Sequence, residues 1–263
     1  MCSFRKLVAA LAAATLFVLA LPSHASLGTN FSDQWWIPGE SGWGASVLQQ
    51  YDTLFVDLFV YAPDGRPTWY TAAAYLQPQS GRTLFSGDLY VTSGPWFGTF
   101  WNPAAYGADK VGTLQFDATS TDFATLTYSV DGRTVTKSVQ RQLWTYEDFT
   151  GSYSGGFVYD QFNCTSAADN GHVEELGAFQ IDHPANNTFT LALQSNFGNC
   201  NVTGDYSQRG HMGTVEARYS CTYAVSGTMT LFELERTASG MTGRFVAENN
   251  ACSVAGKLGG VER

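Results

Sequence analysis

The sequence predicts an all-β fold of two small antiparallel meander β-barrels, with a pair of β-sandwiches as the alternative. Three observations carry this. Side chains alternate with a period of two, as where Leu54, Val56, Leu58 and Val60 interleave with Phe55, Asp57, Phe59 and Tyr61. Turn chemistry recurs between such runs, most sharply at Asp131-Gly132. After the first 25 residues no stretch holds a helical period. Seven or eight consecutive antiparallel strands leave two bare edges unless the sheet closes, and closure favours the barrel.

The N-terminus reads as an export signal over residues 1–25. Arg5 and Lys6 precede fifteen residues, 7–21, interrupted only by Thr15, and Ser23-His24-Ala25 offers small residues for cleavage. Fifteen residues fall short of the roughly 20 that a membrane-spanning helix needs. Cys2 lies before the apolar run, so it is not a lipid-bearing cysteine. No transmembrane segment is expected in the mature chain, which is placed in the periplasm or medium.

Residues 26–150 form the first expected domain and 151–263 the second. All seven tryptophans (35, 36, 43, 69, 96, 101 and 144) lie in the first. All four mature cysteines, Cys164, Cys200, Cys221 and Cys252, lie in the second. The first half is read as stabilised by aromatic burial, the second by crosslinks. In the first, strands are expected near 43–51, 54–61, 68–75, 82–91, 111–117, 123–130 and 133–141. In the second they fall near 153–162, 172–182, 188–196, 201–208, 213–222, 227–236, 241–248 and 252–258. The junction near 146–151 is too short for a flexible linker, so the halves should touch.

In an oxidising compartment four cysteines imply two disulfides. Three pairings are open. Cys200 and Cys221 sit symmetrically about a turn near Gly210-His211 and suit a hairpin bridge. Cys164 with Cys200 and Cys221 with Cys252 each span plausible turns as well. The spacings do not suit zinc, which favours close pairs such as C-x-x-C.

The formal charge of −9 becomes −11 once the +2 of the signal is removed, and the acids are spread evenly over both halves. An evenly acidic surface repels nucleic acid and anionic membranes. Neither is an expected partner.

Two segments stand out as candidate sites. In Trp35-Trp36-Ile37-Pro38-Gly39-Glu40-Ser41-Gly42-Trp43-Gly44 the adjacent indoles face opposite ways if the chain is extended. One reading makes these rings a plug for a barrel end, with Glu40 accepting from turn amides. The other makes Trp35, Trp36 and Trp43 a binding platform with Glu40 orienting a ligand. The second segment, 93–110, is an aromatic loop with Trp96, Phe97, Phe100, Trp101 and Tyr106. It reads as a lid packed on its own core or as a binding loop that joins the same cluster.

The first of these segments resembles a tag of uncharacterised secreted bacterial proteins, a WWxPxESGWG-type motif. Phe59-Val60-Tyr61-Ala62-Pro63-Asp64-Gly65-Arg66-Pro67-Thr68-Trp69-Tyr70 is similar to the hairpin that follows in those proteins, as are Gly94-Pro95-Trp96-Phe97-Gly98 and Val111-Gly112. The chain departs from them at Ile37 and Gly39, where asparagine and alanine are expected. The resemblance implies a bacterial source and export, and no activity.

Catalytic patterns are weak. His172, His183 and His211 have no metal-binding spacing. Ser41 and Ser154 have glycine neighbours without the G-x-S-x-G elbow. Asp57, Asp160, Glu174 and Glu175 are scattered along the chain. No cofactor is expected. The sequence thus points to an exported, non-catalytic binding protein for a glycan, a peptide or another apolar molecule, held by Trp35, Trp36, Glu40, Trp43, Trp96 and Trp101. The rival readings are an inhibitor or interaction protein acting on a secreted hydrolase or another envelope protein, and a hydrolase of unrecognised class.

Overall fold

The computed structural model describes residues 28–263 apart from 185, 186 and 197, so the expected export signal lies outside the described residues. The chain forms two closed antiparallel barrels of eight strands each. The first holds β1 (Asp33–Trp36), β2 (Gly44–Gln50), β3 (Thr53–Tyr61), β4 (Pro67–Leu76), β5 (Thr83–Ser93), β6 (Gly107–Ala118), β7 (Phe123–Val130) and β8 (Arg133–Arg141). The second holds β9 (Gly151–Phe162), β10 (Gly171–Asp182), β11 (Thr188–Ser195), β12 (Gly198–Arg209), β13 (Met212–Cys221), β14 (Ser226–Thr237), β15 (Gly240–Asn249) and β16 (Ser253–Glu262). Each strand pairs with its sequence neighbour, and the seams are β1 with β8 and β9 with β16. Both meanders close and neither folds into a sandwich.

The period-two pattern is what fills the interiors. On β3, Leu54, Val56 and Leu58 are fully buried while Phe55 and Phe59 look outward. In the first core Phe31, Trp35, Phe85 and Phe116 meet edge to face, with centroids 4.9–6.5 Å apart, the arrangement aromatic quadrupoles favour. In the second, Phe157 packs edge to face against Phe179 and Phe245. Asp131 and Gly132 take left-handed φ of 49° and 80°, the two-residue turn that matches the twist of β7 and β8.

Two strand expectations need correction. β1 has no counterpart among the expected strands, because four residues ahead of a proline and several glycines carry too little alternation to announce one. β6 begins at Gly107 and not near 111, because β5 runs on to Ser93 and pairs with it.

The cysteines pair as Cys200–Cys221 and Cys164–Cys252. The first clips facing positions of the β12–β13 hairpin. The second joins the chain just beyond β9 to the chain just before β16, so it staples the seam of the second barrel. Two disulfides accord with an extracytoplasmic, oxidising location. Among the described residues no helix is long and apolar enough to cross a membrane.

The barrels touch through charge. The Arg141 guanidinium is fully buried, donating to the Asn30, Ser32 and Thr121 carbonyls at 2.6, 3.2 and 2.8 Å and to Asp33 Oδ2 at 3.1 Å. That same carboxylate oxygen accepts from the backbone amide and Nδ1 of His211, on the β12–β13 turn of the other barrel, at 3.2 and 2.8 Å. Burial alone would raise the pKa of Asp33; the hydrogen bond and charge of His211 and the amides of Gln34 and His211 outweigh it and hold it low. The approach depends on Gly210, whose φ is +58° and where a Cβ would lie 1.9 Å from Asp33 Oδ2. Gln208 anchors the connecting segment, accepting from the Glu147 amide at 2.8 Å and donating to the Thr145 carbonyl at 3.0 Å.

Candidate functional site

β1 separates the two adjacent indoles as a strand must. Trp35 points inward with no exposed surface, donates from Nε1 to the Phe31 carbonyl at 3.1 Å and stacks its edge on Phe116. The Arg141 guanidinium lies 5.0 Å from its ring centre. Trp35 is therefore core, and its expected place in a ligand platform is withdrawn: no face of its ring reaches solvent.

Trp36 points to the outer wall. With Gln34, Ser41, Gly42, Trp43, Phe59, Gln142 and Trp144 it lines a cleft of about 220 Å³. Gln34 and Trp36 share the outward parity of β1, Phe59 comes from the outer face of β3, and Gln142 and Trp144 follow β8. Gly42, with φ +105°, lets the β1–β2 loop lie against β3, since a Cβ there would approach the Tyr61 hydroxyl to 2.9 Å.

Trp43 is held edge and face. Its Nε1 donates to Glu40 Oε2 at 3.0 Å, Lys137 Nζ donates to the same oxygen at 2.7 Å, and the ammonium sits 5.5 Å from the indole centre. The hydrogen bond from Lys137 comes first among the causes that lower the Glu40 pKa. Glu40 thus orients Trp43, where the sequence offered it turn amides or a ligand.

Two polar atoms of the cleft are buried and have no hydrogen-bond partner among the described residues: Gln34 Oε1 and Trp36 Nε1. Buried polar groups are otherwise nearly always paired, and leaving one unpaired costs about 1–3 kcal/mol. The cleft therefore holds one spare acceptor and one spare donor beside four aromatic rings. Among the described residues, none that lines the cleft has an acidic or basic side chain.

The other sequence candidates lie elsewhere. Trp96 and Trp101 are exposed on the loop between β5 and β6 and do not line the cleft. On the same loop Phe97 is 94% and Phe100 100% exposed, which corrects the reading of this segment as a lid packed on a core. Trp144 and Phe59 were not singled out in the sequence. The clue for Phe59 was its aromatic position on the outward parity of β3; Trp144, isolated beyond the last strand, gave none. His172 stands in β10 and pairs on the surface with Asp160 at 2.8 Å.

No protein-family model matches the chain, and no curated protein matches it. Among solved structures it is similar to the isotype 1 transferrin binding protein B from serogroup B Neisseria meningitidis. The identity is 9% and the TM-score 0.32, over 84% of this chain and 66% of that one.

Proposed function

We propose that this chain is an exported binding protein that acts without catalysis and takes an uncharged glycan in the cleft of Trp36, Trp43, Phe59 and Trp144. The observation that carries the reading is the pairing of aromatic rings with two orphaned polar atoms. A sugar ring presents apolar C–H faces that stack on indoles and hydroxyls that both donate and accept, so it answers Gln34 Oε1 and Trp36 Nε1 together. A lining without an acid or base supports binding over hydrolysis, which needs paired carboxylates about 5–10 Å apart. The disulfides and the export signal expected over 1–25 support a periplasmic or secreted location. The tag around Trp35–Trp36 supports kinship with secreted bacterial proteins.

The test is titration of the oxidised mature chain with cello-, chito- and malto-oligosaccharides, read by tryptophan fluorescence. One series should shift or quench the emission. Trp36→Ala should weaken that series about tenfold or more, equivalent to about 1.4 kcal/mol. Trp36→Phe, which keeps a ring and removes the donor, should lose less. A flat response across the panel, or full affinity in Trp36→Ala, would overturn the reading.

A second reading rests on the β5–β6 loop. Large exposed aromatics gathered on one loop mark protein-interaction surfaces, and Trp96, Phe97, Phe100 and Trp101 fit a protein partner in the envelope. A partner captured by the parent chain and lost with Phe97→Ser/Phe100→Ser supports it; capture unaffected by the double substitution counts against it.

A further inference from the structure

The second barrel is filled at one end and hollow at the other. Towards the first barrel Phe149, Tyr153, Phe189 and Tyr206 pack its interior. At the far end lies a cavity of about 140 Å³ walled by Phe157, Leu193, Tyr219, Phe245 and the Cys200–Cys221 bridge, among others. Both disulfides stand at this mouth, because it is where β9, β11, β13 and β15 end and where β10, β12, β14 and β16 begin.

One carboxylate enters this apolar space. Glu175 lies on the inward parity of β10 with Phe179 and Ile181, lines the cavity, and is 8% exposed. Its carboxylate accepts from Ser195 Oγ. Tyr159 stands beside it, its phenol pushed up to about 12 first by burial and then by the charge and hydrogen bond of Glu175. Two donors leave part of a carboxylate's acceptor capacity of about four sites unused. No lysine, arginine or histidine is among the described residues lining the cavity. A buried carboxylate costs free energy until a cation pairs with it, and the described residues of the cavity wall supply none.

We propose that this cavity binds a small organic cation, an ammonium group carried on an apolar body about the size of one aromatic ring. Three features of the cavity set that chemistry. The volume is close to the roughly 150 Å³ of an engineered apolar cavity that takes up benzene. The Glu175 carboxylate is the complement of an ammonium, and aromatic rings such as those of Phe157, Tyr219 and Phe245 in the lining attract a cation held over their faces. The formal charge of −9 draws cations towards the protein and turns anions away. A carboxylate-bearing ligand of the same shape meets like charge at Glu175.

The experiment is calorimetric titration of the oxidised mature chain with phenethylamine, 2-phenylethanol and phenylacetate, near-isosteric probes that are cationic, neutral and anionic at pH 7. The amine should bind about tenfold or more tighter than the alcohol, and phenylacetate should give no measurable heat. Glu175→Gln should bring the amine down to the affinity of the alcohol. Ala247→Phe, which fills the wall, should abolish binding of both. Because every tryptophan lies within 35–144, binding here should leave tryptophan emission unchanged, which separates this site from the glycan cleft. Near-UV circular dichroism reports whether each variant folds, and the ranking of the three probes on the parent chain stands without any variant. Equal affinity for amine and alcohol would overturn the proposal. So would an amine preference that survives Glu175→Gln, or binding that survives Ala247→Phe in a folded chain.

Discussion

Replacing Arg141 with methionine removes the charge and donors at the centre of the first barrel's seam while keeping most of the aliphatic stem. The guanidinium makes four hydrogen bonds, three to backbone carbonyls and one to Asp33, from a fully buried position. Breaking a buried ion pair from one side costs about 3–5 kcal/mol, because the partner charge is left in the interior. The carbonyls of Asn30, Ser32 and Thr121 lose donors too, which places the expectation in the upper half of that range. A barrel of about 110 residues has an unfolding entropy of about 0.23 kcal/mol/K, so the melting temperature should fall by about 17–22 °C. Tryptophan emission is the right probe, since all seven indoles lie within 35–144 and report on the first barrel and its exit segment. Arg141→Lys keeps the charge and lacks the fork of donors, so it should fall between parent and Arg141→Met. If Arg141→Met melts within about 3 °C of the parent, the seam is held by packing alone and the reasoning fails.

Acid should loosen the contact between the barrels. The folded pKa of Asp33 is lowered, so its contribution is complete above its unfolded value near 3.8 and is lost as the pH falls through the lower folded value. Asp122, raised first by burial, works in the opposite sense and loses its contribution as the pH rises above 3.8. An acid titration monitored by small-angle scattering should show the two barrels separating below about pH 4, and Asp33→Asn should remove that step. Reduction should act on the second barrel alone. Loops of 21 and 88 residues correspond to about 3.3 and 4.6 kcal/mol in the chain-entropy picture. Dithiothreitol should therefore lower the second barrel's melting temperature by calorimetry while tryptophan emission holds. Simultaneous loss of both signals would show that the barrels fold as one unit. Gly210→Ala should push the β12–β13 turn off Asp33 at a cost of about 1–2 kcal/mol for the left-handed backbone alone. Calorimetry should then resolve two transitions more widely spaced than in the parent.

The strands were legible because the alternation that fills a barrel is written residue by residue, as at Leu54, Val56 and Leu58. Closure was legible as a consequence of having too many antiparallel strands for an open sheet. β1 was not, since Asp33-Gln34-Trp35-Trp36 holds only two periods and precedes turn residues. The opposite facing of Trp35 and Trp36 follows from strand parity, but which one faces in depends on a register that only β2 and β8 define. The cleft gathers side chains from β1, β3 and the β8 exit, and sequence spacing does not bring Phe59 and Trp144 together. The hollow end of the second barrel left one trace, an acid at position 175 on the parity of Phe179 and Ile181. Alternation tells which side chains face inward and says nothing of how completely they fill the space.

The first barrel is closed by two residue pairs, Trp35 with Arg141 and Trp36 with Gln140, whereas the second closes over ten. Breathing motions of the fold should then begin at β1, whose amides exchange with deuterium ahead of the other strands of its barrel. Gln34 and Trp36 on one side of that joint and Gln142 on the other all line the cleft, so an occupant spans the joint and acts as its fastener. At a hundredfold excess over its dissociation constant it would add about 2.7 kcal/mol to the opening free energy. The strand that is weakest in the free molecule becomes the one that gains most protection when the cleft is full.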